Sequence, residues 1–287
     1  MKGGLAISTQ YAYAKQPNLS IKATDGTVYA YRELGQKKGV PVLFFTHLSA
    51  NLDNWDSRVI DGIARKHWVI AFDNKGVGLS GGVIPATIEQ MARDALTFIH
   101  TLGFEQINVL SFSMGGMVAQ ELIEIEPQLV RKLILTGTGP RGGEGIKNVT
   151  KITNMDMVRA IFTLKDIKTY LFFTRTENSK QRAKEFLDRI KERKEARDKT
   201  ISLKSYRSQL KAIYKWGLAM PADLSKITQP TLVVNGDQDK MVPTVNTYDL
   251  AKRIPNSRLI IYKDSGHGAI FQNYQEFVKA VLEFLAE

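Results

Sequence analysis

The spacing of apolar residues divides the chain into short strands and amphipathic helices. Nearly continuous apolar runs at 41–46, 67–73 and 107–112 predict strands that are buried on both faces. Residues 87–103 place apolar side chains at helical spacing and stop at Gly103, so they predict a crossover helix. Strands that alternate with such helices indicate an α/β fold with a mainly parallel sheet covered on both faces.

This alternation is interrupted once, by a long segment in the second half of the chain. Residues 141–222 show helical periodicity but no convincing strand, and they include a predicted helix over Ser179–Arg197. Strands and helices then alternate again as far as residue 285. We therefore predict one core domain, formed by residues 1–140 and 223–287, with a helical and basic insertion at 141–222.

Charge and composition narrow the class of protein. Residues 141–220 hold 20 Lys and Arg against 9 Asp and Glu, so this segment accounts for the whole net charge of +11. Such charge attracts nucleic acid, membrane surfaces or anionic substrates, although a well-solvated helical face explains it more simply. The absence of cysteine excludes disulfides and favours a reducing compartment. With neither a signal-peptide pattern nor an apolar stretch of about 20 residues, we predict a cytoplasmic, soluble protein.

The strongest chemical signal is the run 111–116 (SFSMGG), which follows a predicted strand and opens a predicted helix. In a tight strand-to-helix turn, small neighbours lift a serine hydroxyl clear of the sheet. Ser113 is therefore the candidate nucleophile. The backbone N–H of Met114, at the helix N-terminus, is a candidate oxyanion donor. The G-x-S-x-G pattern has glycine where this chain has Ser111, and serine is small enough to be a tolerated variant.

Two further loops carry the side chains that such a serine needs. The runs 235–243 (NGDQDKMVP) and 264–268 (DSGHG) each follow a predicted strand. Because the carboxyl ends of parallel strands share one edge of a sheet, these loops are expected to meet the serine there. His267 is the candidate base that takes the serine proton and later gives it to the leaving group. Asp239 is expected to orient His267, with Asp237 as the alternative.

Together these motifs resemble those of the α/β-hydrolase superfamily, within its esterases and cofactor-free haloperoxidase-like enzymes. The resemblance extends from about Leu19 to Leu285 and includes the run 73–80 (DNKGVGLS), which is similar to a family turn and is interpreted as loop scaffolding. It implies a twisted, mainly parallel sheet of about eight strands flanked by helices. The order Ser…Asp…His is the one expected of that fold. The resemblance also implies that residues 141–222 form a cap over the active site.

One departure from the family lies after the third predicted strand, in the run 46–55 (THLSANLDNW). The family usually shows His-Gly there, followed by a residue whose backbone N–H completes the oxyanion hole. Because no glycine follows His47, we predict the N–H of Leu48 as the second donor, with Ser49 as the alternative. His47 itself is interpreted as a structural loop residue rather than a second base.

Other parts of a binding site are less well defined by sequence. Asn51, Trp55 and Trp216 are candidate substrate contacts. Asp53 and Asn54 are further candidates, although a helix start explains these two and Trp55 equally well. The four histidines have no metal-ligand spacing and no phosphate-binding loop is found, so we predict neither metal nor cofactor. Several large apolar residues of the insertion are candidates either for a pocket wall or, more often, for the interior of the cap: Met155, Met157, Phe162, Tyr170, Phe172, Phe173 and Trp216.

These observations predict a serine hydrolase that cleaves an ester, thioester or related acyl bond of a small, partly apolar molecule through an acyl-enzyme. The same triad also serves perhydrolysis or carbon–carbon bond cleavage, which fold and triad do not separate. The alternative from another class is a non-catalytic ligand receptor, supported only by the altered loop at Leu48. We predict no nucleic-acid or membrane partner, and the sequence leaves the oligomeric state open.

Overall fold

An eight-stranded sheet forms the centre of the molecule, which the computed structural model describes over residues 12–287. The strands are, in chain order, β1 Leu19–Lys22, β2 Val28–Leu34, β3 Val42–Phe45, β4 Val69–Phe72, β5 Ile107–Phe112, β6 Val130–Thr136, β7 Thr231–Gly236 and β8 Ser257–Tyr262. Across the sheet their order is β1-β2-β4-β3-β5-β6-β7-β8. β2 pairs antiparallel with β1 and β4, whereas all other pairs are parallel. The predicted mainly parallel sheet of about eight strands is confirmed.

Helices connect the strands and cover the sheet. Those of the described residues are α1 Ser57–Ala64, α2 Ile88–Thr101, α3 Met114–Ile125, α4 Val149–Thr163, α5 Lys168–Phe172, α6 Glu177–Arg189, α7 Leu203–Leu218, α8 Val245–Arg253, α9 Ala269–Gln272 and α10 Tyr274–Ala286. Every residue of β3, β4, β5 and β7 is buried, as continuous apolar runs predict for strands covered on both faces. Within residues 12–287, none of the helices combines the length and apolar character that a membrane span requires.

The run 73–80 makes the turn after β4, and its side chains join neighbouring segments. The Ser80 hydroxyl donates to the backbone oxygen of Asp73 at 2.8 Å and accepts the backbone N–H of Ala30 at 2.9 Å. The carboxylate of Asp73 accepts the backbone N–H of Leu52 at 2.9 Å. These bonds hold the loops after β3 and β4 together, in keeping with the interpretation of this run as scaffolding.

The segment between β6 and β7 holds α4 to α7, and its division from the core as a cap stays a prediction. The predicted helix over Ser179–Arg197 is wrong at its end, because α6 stops at Arg189. After Ile190 no apolar position recurs at helical spacing. Instead the guanidinium of Arg193 is buried and donates to the backbone oxygens of Ala14 and Gln16 at 3.1 and 2.7 Å. These contacts to distant segments compete with helix formation.

A buried ion pair joins α6 to the start of α1. The guanidinium of Arg189 donates to both carboxylate oxygens of Asp56 at 2.7–3.0 Å, and the Asp56 side chain is fully buried. Replacing Arg189 with methionine leaves that carboxylate buried without its partner, so we expect the free energy of unfolding in urea to fall by about 3–5 kcal/mol. Arg182→Met, which breaks an exposed pair with Glu185, is the control and should cost less than about 1 kcal/mol. An equal loss of unfolding free energy in the two variants would contradict the interpretation that Arg189 compensates the buried charge of Asp56.

Candidate active site

Ser113 occupies the turn between β5 and α3, on a backbone that few side chains adopt. Its φ and ψ angles are 56° and −118°, a positive φ that is strained for a residue with a Cβ. The turn is held from both sides, since Ser113 N donates to Thr136 O and Gly116 N donates to Ser113 O, each at 2.9 Å. The surrounding bonds thus impose the strained geometry that directs the serine hydroxyl away from the sheet.

Ser111, where the family pattern has glycine, is accommodated by hydrogen bonds to β6. Its hydroxyl donates to the backbone oxygen of Ile134 at 2.8 Å, and its own carbonyl accepts the Thr136 hydroxyl at 2.8 Å. The side chain is completely buried, and its one polar group is satisfied. This departure from the pattern therefore leaves the turn intact.

Gly115 lets α3 approach the end of β3. A Cβ at this position would lie 2.1 Å from the backbone oxygen of Phe45, an atom that cannot move aside. We expect Gly115→Ala to lower the free energy of unfolding by about 3 kcal/mol or more and to displace Ser113. The control is Gly81→Ala, whose added Cβ would meet its nearest backbone atom at 3.7 Å. Thermal unfolding of both variants tests this, and an unchanged melting temperature for Gly115→Ala would contradict it.

The structure brings Ser113, His267 and Asp239 into one hydrogen-bonded chain. His267 Nε2 lies 2.9 Å from Ser113 Oγ, and His267 Nδ1 lies 2.8 Å from Asp239 Oδ2. All three side chains are buried. Because the Asp239 carboxylate can only accept hydrogen bonds, His267 Nδ1 carries the proton. His267 Nε2 therefore presents a lone pair to the hydroxyl of Ser113. The arrangement can therefore take a proton from Ser113 Oγ.

Asp239 is held in place by the loop that follows β7, and Asp237 is directed elsewhere. Asp239 Oδ1 accepts the backbone N–H groups of Met241 and Val242 at 2.9 and 3.0 Å, which leaves Oδ2 for the imidazole. Asp237 Oδ1 instead accepts the backbone N–H of Ser265 at 3.3 Å. Of the two aspartates that the sequence left open, only Asp239 contacts His267.

The loop after β3 holds the two alternative donors predicted from the sequence, Leu48 and Ser49, and they differ in their hydrogen bonds. Ser49, with a φ of 63°, donates its N–H to Gln209 Oε1 at 2.8 Å, so this donor is occupied. The N–H of Leu48 has no acceptor among residues 12–287. The N–H of Met114 lies in the first turn of α3, where no intrahelical acceptor exists. Of the backbone donors predicted from the sequence, Leu48 and Met114 are thus the two without an acceptor among the described residues.

His47 supports the same loop in its neutral form. Its Nδ1 donates to the backbone oxygen of Leu48 at 2.8 Å, and its ring packs edge-on against Phe112 and Phe172. Burial, with a smaller contribution from the nearby Lys168 ammonium, lowers the pKa of His47 to about 3. Its Nε2 is buried and has no hydrogen-bond partner among the described residues. The imidazole therefore adds no positive charge to the site.

A cavity of about 100 Å³ opens beside Ser113 and His267. Of the apolar residues considered from the sequence, Met157 and Phe172 line it, whereas Met155 and Phe162 are exposed on α4. Sequence reasoning missed three polar residues of the wall, Thr153, Lys168 and Tyr206, and no local pattern marks them as neighbours of Ser113. The complete lining is His47, Leu48, Ser49, Ser113, Thr153, Met157, Ile167, Lys168, Leu171, Phe172, Tyr206, Met241 and His267.

The candidate substrate contacts Asn51, Trp55 and Trp216 do not line this cavity, which corrects the sequence prediction. The side-chain oxygen of Asn51 caps a short 3₁₀ turn by accepting the N–H of Asp53 at 3.0 Å. Trp55 is buried edge-on against Phe44, with ring centroids 5.0 Å apart. Trp216 is buried, and its indole N–H points to the backbone oxygen of Gly139 at 3.4 Å. Packing and capping account for all three.

Comparison with known proteins places this fold and site in a family. The family model described as the alpha/beta hydrolase fold matches residues 40–274. The chain belongs to the α/β-hydrolase fold family. A solved structure, an alpha/beta hydrolase fold protein from Chitinophaga pinensis, superimposes with a TM-score of 0.90 at 36% identity, covering 95% of this chain and 98% of that one. This confirms the predicted resemblance.

Curated relatives within the family carry out different reactions. A 2-hydroxy-6-oxononadienedioate/2-hydroxy-6-oxononatrienedioate hydrolase from Klebsiella pneumoniae is 29% identical, over 80% of this chain and 81% of its own length. A poly(3-hydroxyalkanoate) depolymerase from Ectopseudomonas oleovorans is 27% identical, over 88% of this chain and 87% of its own. The family is thus established, and the names of these two relatives describe different reactions.

Proposed function

We propose that this chain is a serine hydrolase that cleaves an ester-type bond of a small, partly apolar molecule. The observation that carries the proposal is the chain of hydrogen bonds from Ser113 Oγ through His267 to Asp239, at 2.9 and 2.8 Å. It lies at a cavity with mostly apolar walls. A nucleophile, a base and a group that orients the base are the three parts that acyl transfer needs.

The proposed mechanism gives each of these groups one role. Ser113 Oγ attacks the carbonyl carbon while His267 Nε2 takes its proton, and the imidazolium is stabilised by Asp239. The backbone N–H groups of Leu48 and Met114 stabilise the negative charge that develops on the carbonyl oxygen. His267 then gives the proton to the leaving group, which departs and leaves an acyl-enzyme. Water, activated by the same imidazole, releases the acid and restores Ser113.

Two observations favour an enzyme over a ligand receptor on the same fold. The receptor hypothesis depended on the altered loop after β3, yet that loop still offers the unoccupied N–H of Leu48. In addition, the relatives described above are named as a hydrolase and a depolymerase. Because these names describe different reactions, the choice of an ester-type bond is our proposal for this chain.

Labelling with a fluorophosphonate probe tests the proposal directly, because such probes react with an activated serine. We expect the folded protein to be labelled once, with the modified peptide mapped by mass spectrometry to Ser113. A panel of p-nitrophenyl esters of increasing acyl length then measures turnover, and the small cavity predicts a preference for short acyl chains. Folded protein that neither reacts with the probe nor turns over any ester would overturn the proposal.

A further inference from the structure

Lys168 is the only charged side chain that lines the cavity beside Ser113 within the described residues. It is the first residue of α5, and its side chain is 21% exposed. The nearest carboxylate oxygen, Asp166 Oδ1, is 3.8 Å from Nζ, beyond hydrogen-bond distance, and it already accepts the backbone N–H of Lys168 at 2.9 Å. Within residues 12–287 no acceptor is hydrogen-bonded to this ammonium.

Asp166 is the one carboxylate within 4 Å of Lys168 Nζ among the described residues, and without a hydrogen bond to the ammonium it compensates the charge only in part. Apolar groups such as Ile167, Leu171 and Met241 form most of the wall, and no Asp or Glu side chain of the described residues lines the cavity. His47, the other basic group of the wall apart from His267, is neutral because its pKa is lowered to about 3 by burial and, less strongly, by Lys168. A cation in such a setting is stabilised when an anion binds beside it.

Tyr206, from α7, also lines this cavity. Its hydroxyl oxygen is buried and has no hydrogen-bond partner among the described residues. Buried hydroxyls in folded proteins nearly always have a partner, so this unpartnered hydroxyl, on a residue that lines the cavity, is available to a ligand atom. A phenol O–H donates well to a carboxylate oxygen.

The outer surface near the cavity is also positively charged. α4 and α7, which contribute Thr153, Met157 and Tyr206 to the cavity wall, border two neighbouring surface grooves. Both grooves lack an acidic lining residue within the described part of the chain, and no carboxylate described there lies within 4 Å of their cations. Such a field raises the local concentration of anions. The groove cations are Lys147, Lys151, Lys204, Arg207 and Lys211.

We propose that the substrate of this site carries a carboxylate, which Lys168 Nζ and Tyr206 O–H bind while its ester bond lies at Ser113. The inference rests on the proposed function for the identity of the cleaved bond, but the anion site stands on its own observations. Since the cavity measures only about 100 Å³, the carboxylate and the ester are separated by a short chain. Half-esters of small dicarboxylic acids have this chemistry.

Calorimetric titration of the full-length Ser113→Ala variant tests binding without turnover. The probes are matched pairs in which a methyl group replaces the carboxylate: monomethyl succinate with methyl butanoate, monomethyl glutarate with methyl pentanoate, and monomethyl adipate with methyl hexanoate. A hydrogen-bonded charge contact predicts about 10- to 100-fold tighter binding of the acid in at least one pair. Adding Lys168→Met should abolish that preference, and adding Tyr206→Phe should reduce it several-fold.

Lys165→Met is the matched control, because Lys165 is exposed three residues before Lys168 and does not line the cavity. The preference for the acid should survive this substitution. Equal binding within every pair, or a preference that Lys168→Met leaves intact, would overturn the carboxylate site even if Ser113 reacts with the probe and esters are hydrolysed. Conversely, a preference that depends on Lys168, in a protein that hydrolyses no ester, would support the carboxylate site and count against the hydrolase proposal.

Discussion

Replacing Ser113 with alanine is expected to lower kcat for a hydrolysed ester by about 10⁴- to 10⁶-fold. The substitution removes the oxygen that attacks the carbonyl carbon, so the acyl-enzyme cannot form. Donors such as the N–H groups of Leu48 and Met114 stay in place, and they account for any residual rate above that in water. Steady-state kinetics on the best ester of the panel, with circular dichroism to confirm folding, provide the measurement.

Ser111→Ala is the control for this experiment. Ser111 is also a buried serine, two residues earlier in β5, but its hydroxyl donates to the backbone oxygen of Ile134 and it does not line the cavity. Losing that bond should cost about 1 kcal/mol of stability and change kcat less than tenfold. Retention of activity by Ser113→Ala, or an equal loss in both variants, would count against Ser113 as nucleophile.

Asp239→Asn should lower kcat by about 10⁴-fold while leaving the fold intact. Asp239 Oδ1 accepts two backbone N–H groups, from Met241 and Val242, so an asparagine keeps its oxygen there. Its amide nitrogen then takes the place of Oδ2 and donates to His267 Nδ1. This moves the imidazole proton to Nε2, which can no longer accept the proton of Ser113 Oγ. The pH–rate profile and the melting temperature should be measured together.

Asp237→Asn provides the matched control, because Asp237 lies in the same loop and accepts only a backbone N–H from Ser265 at 3.3 Å and a distant lysine contact. We expect its kcat to stay within about tenfold of wild type. A larger loss in Asp237→Asn than in Asp239→Asn would show that the other aspartate of this loop orients the imidazole during turnover.

Several features of the molecule were determined by the sequence alone, because they depend on local pattern. Burial on both faces requires nearly continuous apolar runs, so the central strands were visible directly in residues such as 107–112. The strand-to-helix turn needs small residues around Ser113, and this requirement also leaves a local signal. Serine, aspartate and histidine each follow a strand, and the carboxyl ends of parallel strands meet, so their convergence was predictable as well.

Other features were decided only by the tertiary structure. Asp237 and Asp239 are two residues apart in one loop, and only the path of that loop determines which carboxylate contacts His267. Trp55 is apolar and follows a loop in the way a binding residue can, yet packing against Phe44 places it in the core. The end of α6 was also unpredictable, because distant backbone oxygens bind the Arg193 side chain.

The residues that line the cavity were also decided only by the tertiary structure. Lys168 and Tyr206 lie on different helices, α5 and α7, and no pattern in either helix indicates that they share a cavity with Ser113. Periodicity reports which face of a helix is buried, but not which other helix it meets or what lies between them. The sequence alone therefore predicted the family and the candidate reacting groups, whereas the packing of α4, α5 and α7 decided which polar residues line the cavity with Ser113.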